Sequence, residues 1–311
     1  MEYLLLIFGF VLLIKGADLF VGGASNIAKY FKIPSIIIGL TLVAFGTSAP
    51  EAAVSITAAI NKSADIAISN IVGSNIFNLL CVLGITSLFT DVVADREVIR
   101  KDYKLSIFCA LLLLVLILVN FIFGHSLVLG RVGGIILLIV LGFYLYNMIK
   151  NAKIDKEENN VIQTKFNVKD VIFVIVGLAM VVFGGDLTVN NATLIAKAWG
   201  MSERFIGLTI VAIGTSLPEL CTSLVALYKG ENDIAVGNVI GSNIFNILFI
   251  LGATSFISPL NIGIESIIDL MILIVGCIGV LFMFDDLKIK KHEGISMLMF
   301  YATYCIYIFI R

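Results

Sequence analysis

The sequence predicts an all-α integral membrane protein: ten transmembrane helices in two inverted-topology repeats of five, with broken helices 2, 3, 7 and 8 forming a central core. Three observations lead to that expectation. Hydrophobic residues make up 59% of the 311 and charged residues only 14%, against about 25% in soluble domains, so the chain belongs in a bilayer. The stretch GLTLVAFGTSAPE from Gly39 to Glu51 returns as GLTIVAIGTSLPE from Gly207 to Glu219. Aligning residues 38–87 with 206–255 at a constant offset of 168 gives 28 identities in 50 positions. Both copies also place a carboxylate and a proline inside an apolar segment, where lipid tolerates them only if protein or water surrounds them.

Crossing about 30 Å of hydrocarbon at 1.5 Å per residue takes about 20 apolar residues. Runs of that length place spans near 2–29, 36–60, 66–90, 104–123, 127–150, 170–197, 205–228, 234–257, 264–284 and 293–310. The first begins MEYLLLIFGF, with no basic leading region and no small-residue cleavage site, and is read as a span, not a removable leader. The second holds Gly46 and Pro50, which loosen the backbone and remove an amide donor, so it is expected to kink or unwind there. The seventh repeats this at Gly214 and Pro218. The third and eighth carry NIVGSNIFN (Asn70–Asn78) and NVIGSNIFN (Asn238–Asn246), whose Gly73 and Gly241 allow close helix approach. Cys81, Cys109, Cys221, Cys277 and Cys305 lie in apolar segments without metal-site spacing and read as small buried hydrophobes. His125 and His292 sit at segment ends, and neither looks like a ligand.

The polar stretch between Lys150 and Asp170 separates five spans from five. Residues 1–150 are therefore read as the first repeat (signature region 36–87), 151–169 as a linker, and 170–311 as the second repeat (signature region 204–255). An odd number of spans per half makes the second half enter the membrane from the opposite side. Fifteen lysines and arginines fall to the side holding the loops after spans 1, 3, 5, 7 and 9, and five to the other. That bias puts the linker in the cytoplasm and both termini outside, in a multi-pass protein of the cell membrane.

The polar residues of the repeats define a candidate site. Thr47 and Ser48 lie four and three residues before Glu51, and Thr215 and Ser216 stand likewise before Glu219, so hydroxyls and carboxylate share one face wherever helical spacing persists. Ser74 with Asn78, and Ser242 with Asn246, supply a second wall at four-residue spacing. Asn75 and Asn243, one position round, read as hydrogen-bond glue between helices. An intramembrane carboxylate costs about 2.5–3.5 kcal/mol even on lenient insertion scales, so two at matched positions with no basic neighbour demand a purpose. Carboxylates, hydroxyls and loosened carbonyls are all hard oxygen ligands, suited to calcium or sodium. Asp18 and Asp186 also match across the repeat, each beside a glycine in mid-span, and read as bonding a neighbouring helix in preference to an ion.

With GTSAPE, GSNIFN, GTSLPE and GSNIFN in order, the chain resembles the cation/calcium exchanger superfamily, and within it the prokaryotic sodium/calcium antiporters. The resemblance implies that Glu51, Thr47, Ser48, Glu219, Thr215 and Ser216 form central calcium and sodium sites, with Ser74, Asn78, Ser242 and Asn246 as second-wall positions. It implies sodium ligation by the backbone carbonyls of Ala44 and Ala212. It further implies calcium extrusion in exchange for sodium, with three sodium ions per calcium. Several relatives, the potassium-dependent exchangers among them, have aspartate where this chain has Asn246, so potassium dependence is not expected. Calcium and sodium are transported ions here and no cofactor is expected. The expected surroundings are a lipid bilayer, with no nucleic acid and no obligate protein partner.

Two other functions use the same residues: a proton/calcium antiporter with the glutamates as proton carriers, and a passive cation channel. A serine hydrolase at Ser48 or Ser216 is disfavoured, because neither segment holds a histidine or lysine to act as base.

Overall fold

A computed structural model describes residues 1–61, 64–124, 126–158, 167–201 and 212–310. Among these, eight helices are long and apolar enough to cross a membrane singly. They are α1 (Glu2–Phe31), α4 (Ile66–Phe89), α5 (Arg96–Ile122), α6 (Arg131–Lys150), α7 (Val168–Ala198), α10 (Asn232–Ile257), α11 (Ile264–Met283) and α12 (Lys291–Ile310). A ninth span is the pair α2 (Ser35–Thr47) and α3 (Ala49–Ile60), bent by 48°. The short α8 (Ala212–Thr215) leads into the apolar α9 (Leu217–Tyr228). The expected start of the seventh span, at 205, lies outside the described residues.

The protein interior is the inverse of an ordinary surface pattern. α10 is 94% buried and α4 72%, whereas the other single spans are 17–44% buried, so α4 and α10 form the centre and the rest face lipid. Composition explains this: α4 and α10 carry the polar repeated blocks, which need protein partners, while residues 105–122 of α5 and 270–283 of α11 hold no charged side chain and tolerate hydrocarbon. α1 and α7 pack antiparallel along their length. Reciprocal glycines set their approach: an added Cβ at Gly9 would lie 3.0 Å from Gly184 O, and one at Gly16 2.8 Å from Gly177 O. Two small antiparallel ribbons pin the loops, Val92–Val93 on Lys288–Ile289 and Val128–Leu129 on Leu260–Asn261.

Several expectations are corrected by these coordinates. α4 and α10 are not broken: each runs through a single π-helical turn, Phe77–Val82 and Asn246–Leu251. Neither contains a proline, so an extra residue is absorbed by widening one turn while hydrogen bonding continues. α5 begins at Arg96, eight residues before its expected start at 104, because Asp95 caps it by accepting the Glu97 amide at 3.3 Å. The helix of α6 continues to Glu158, into the stretch read as linker.

Candidate functional site

Proline explains the local geometry of both carboxylates. Pro50 and Pro218 sit in the first turns of α3 and α9, where a missing amide hydrogen costs nothing and a fixed φ favours helix initiation. The preceding Ser48 and Ser216 leave helical geometry, with ψ near 7° in each, so the chain bends there. Glu51 and Glu219 consequently fall in the first turn of a helix, close to its unpaired amides and positive dipole end. That placement offsets part of the cost of burying charge, and both glutamates are 0% exposed.

The serines do not serve the glutamate of their own segment. Ser48 Oγ donates to Glu219 Oε1 at 3.1 Å, and Ser216 Oγ donates to Glu51 Oε1 at 3.0 Å. The second wall adds Ser74 Oγ to Glu51 Oε1 at 3.3 Å and Ser242 Oγ to Glu219 Oε1 at 3.4 Å. Each carboxylate thus has one oxygen held by two hydroxyls, one from each repeat. Its other oxygen, Oε2 of both Glu51 and Glu219, is buried without a hydrogen-bond partner. A buried carboxylate oxygen left this way is costly unless a cation faces it.

Thr47 is fully buried and bonds Asn238 Oδ1 at 3.0 Å and Ala44 O at 3.3 Å. Ala44 O also accepts from Ser242 Oγ at 3.4 Å and from the Ser48 amide at 3.1 Å. In the second copy the Ser216 amide turns to Ile213 O at 3.1 Å, so the two bends differ in detail. Thr215 is buried within the same bend, and Ala212 opens α8.

Asn75 and Asn243 bind each other's backbone: Asn75 Nδ2 to Asn243 O at 3.1 Å and Asn243 Nδ2 to Asn75 O at 3.3 Å. They are the glue between α4 and α10. Asn246 Nδ2 donates to Asn75 Oδ1 at 2.9 Å and leaves its own Oδ1 buried and unpartnered, while both polar atoms of Asn78 are buried without partners. Gly241 lets α10 close on α2, since an added Cβ would stand 2.6 Å from Leu40 O. At Gly73 an added Cβ meets nothing within 4 Å, and residue 208, the counterpart of Leu40, lies outside the described residues.

Two further pairs escaped the sequence reading. Asn70 Nδ2 bonds Ser55 Oγ at 3.0 Å and Glu51 O at 3.3 Å, and Asn238 Nδ2 bonds Ser223 Oγ at 3.0 Å and Glu219 O at 3.3 Å. These asparagines fix the backbone carrying each glutamate. Their signal was present, since all four residues are identical across the 168-residue offset. Among the described residues no group of three or more His, Cys, Asp or Glu is placed to hold a metal ion, and the oxygens gathered around Glu51 and Glu219 are mostly neutral hydroxyls, amides and carbonyls. A separate cavity of about 870 Å³, bordered by Leu40, Asp102, Phe143 and Tyr144, includes none of these site residues.

The comparisons with known proteins follow the same pattern. A family model described as sodium/calcium exchanger protein matches residues 1–150 and 169–310. The chain is 32% identical over 350 aligned positions to the sodium/calcium exchanger MaX1 of Methanosarcina acetivorans, covering 99% of this chain and 98% of that protein. It is 37% identical over 268 positions to the inner membrane protein YrbG of Escherichia coli, covering 82% and 79%. A solved structure of the sodium-calcium exchanger NCX_Mj is similar with a TM-score of 0.83 at 30% identity, over 97% of this chain and 98% of that one. Sequence and fold agree over nearly the whole length, and this chain belongs to the sodium/calcium exchanger protein family.

Proposed function

We propose that this multi-pass membrane protein, a cation/calcium antiporter by family, exchanges three sodium ions for one calcium by alternating access and extrudes calcium. The observation that carries this reading is the buried pair Glu51 and Glu219, each with one oxygen bonded by two serines and the other without a partner. With Asn78 and Asn246 neutral, two carboxylates balance the charge of one calcium ion. Ser48, Ser216, Ser74, Ser242, Thr47 and Thr215, the amide oxygens of Asn78 and Asn246, and the carbonyls of Ala44 and Ala212 supply the remaining ligands in this reading. Sodium, with the same preference for oxygen, competes for the same atoms, which couples the two fluxes. Three sodium ions against one calcium move one net charge per cycle, worth about 2.3 kcal/mol per 100 mV, so the membrane potential assists extrusion.

The same proposal includes ten spans in two inverted repeats, 1–150 and 170–311, joined by a cytoplasmic linker at 151–169, with both termini outside. The two ribbons support it: each joins loops that an alternating ten-span path puts on one side.

The deciding experiment is uptake of labelled calcium into vesicles under imposed sodium, proton or potassium gradients. Uptake is expected to follow the sodium gradient, and potassium on both sides is expected to leave the rate unchanged. A potassium requirement, or equal uptake on a proton gradient without sodium, would transfer the assignment to another coupling ion. Flux with no counter-ion gradient at all would make the protein a channel.

Asn246→Asp tests the second wall. The substitution adds a negative charge beside the partnerless Oδ1 position and removes the bond to Asn75, worth about 1 kcal/mol. Calcium affinity is expected to rise by about tenfold or more, a gain of at least about 1.4 kcal/mol, and maximal flux to fall because release slows. Unchanged affinity and flux would put Asn246 among the glue residues.

A further inference from the structure

Thr47 has one hydroxyl proton and three oxygens within reach: Asn238 Oδ1 at 3.0 Å, Ala44 O at 3.3 Å and Ser242 Oγ at 3.5 Å. Where that proton goes decides what the hydroxyl offers a cation, because a metal ion takes an oxygen lone pair and is repelled by an O–H hydrogen. The far side of the Asn238 amide settles the direction. Its Nδ2 faces Glu219 O at 3.3 Å and Ser223 Oγ at 3.0 Å. A carbonyl only accepts, so the nitrogen is the atom beside Glu219 and the oxygen is the atom beside Thr47. Asn70 takes the same orientation in the first repeat, with Glu51 O at 3.3 Å and Ser55 Oγ at 3.0 Å. An amide oxygen also only accepts, so Thr47 donates to Asn238, at the shortest of its three contacts. Both residues are 0% exposed, which shields this bond from bulk water.

With its proton committed to Asn238, Thr47 Oγ1 keeps its lone pairs for the site. Ala44 O gains as well. It already accepts from the Ser48 amide at 3.1 Å and from Ser242 Oγ at 3.4 Å, so a third donor would crowd the side that a cation needs. Without Asn238 the nearest acceptor left to Thr47 is Ala44 O, and the proton would lie between the two oxygens.

We infer that Asn238 is a positioning residue for sodium: by accepting the Thr47 proton from the opposite repeat, it frees the lone pairs of Thr47 and Ala44 for a cation. The inference rests on the exchange reading above. In that reading one calcium sits between the two carboxylates, whereas three sodium ions repel one another too strongly to share that place and spread to neutral oxygens at its flank. The orientation of Thr47 therefore weighs on sodium more than on calcium.

The test measures equilibrium binding to the purified full chain: the calcium dissociation constant without sodium, and the sodium concentration that displaces half of the labelled calcium. In Asn238→Leu the sodium requirement is expected to rise about fivefold to tenfold, the worth of about one hydrogen bond, while the calcium constant moves less than about twofold. Asn238→Ala, with a smaller side chain, is expected to do the same. Thr47→Val removes the hydroxyl and is expected to raise the sodium requirement too. Adding Asn238→Leu to it should then change little, since the amide acts through a proton that is gone. Equal losses for the two ions, as a mere anchor of the Glu219 backbone would give, overturn the inference, and so does full additivity of the two substitutions. If the unmodified chain binds both ions yet takes up no calcium on a sodium gradient, a selective sodium loss upholds the role of Asn238 and only the exchange reading falls. If sodium displaces no calcium from the unmodified chain, both fall.

Discussion

Glu51→Gln and Glu219→Gln are each expected to abolish calcium exchange while leaving a folded protein. Glutamine preserves size and keeps an oxygen for the two serine hydroxyls that bond Oε1, but it removes one of the two charges available to a dication. Removing one partner of a buried charge pair costs about 3–5 kcal/mol, which corresponds to a loss of more than about 100-fold in ion binding. Stability moves the other way. With no ion bound, two buried carboxylates in one site repel, and neutralising one relieves that repulsion. Calcium uptake by each purified, monodisperse variant, read beside its thermal unfolding midpoint, checks both halves of the statement. Uptake at the wild-type rate by either variant would remove the glutamates from the ion pathway.

The second large effect is expected at the α1–α7 contact. In Gly177→Ala the new Cβ would stand 2.5 Å from Phe20 N and 2.8 Å from Gly16 O, both backbone atoms that cannot rotate away. The helices must separate, at a cost of about 1–3 kcal/mol. Because α1 and α7 cover the bends at Gly46 and Gly214, exchange should fall together with stability. Gly142→Ala is the control: its added Cβ meets nothing within 4 Å among the described residues, and alanine is the better helix former by about 1 kcal/mol. Equal unfolding midpoints for the two variants would show that the close approach carries no weight.

What could be read from the sequence divides along the range of the interaction. The repeat, the spans and the buried carboxylates are properties of composition and spacing, and Glu51, Glu219 and their hydroxyl neighbours were legible at once. Partner choice was not. Three-residue spacing suggested that Ser48 serves Glu51, but the bend at Ser48 ends the helical face on which that rule depends, and the hydroxyl crosses to Glu219. The π-turns at Phe77–Val82 and Asn246–Leu251 leave no compositional trace, because a widened turn needs neither glycine nor proline. Arg96, Arg100 and Lys101 read as loop residues because they are charged, although they occupy the first turns of α5. The sequence reads Asp18 as bonding a neighbouring helix in preference to an ion, and the partner it meets is the side chain of Lys229, 211 residues away in sequence.

The crossed serine bonds constrain how the protein moves. Ser48 to Glu219, Ser216 to Glu51 and the mutual Asn75–Asn243 pair are stitches between the halves, so neither half can tilt against the other without stretching several buried hydrogen bonds at once. Sliding α1–α7 past them breaks none of these. In the proposed exchange cycle the stitched elements would act as one stiff anvil that holds the ion in register, with compliance confined to the two helices that take no part in the stitching.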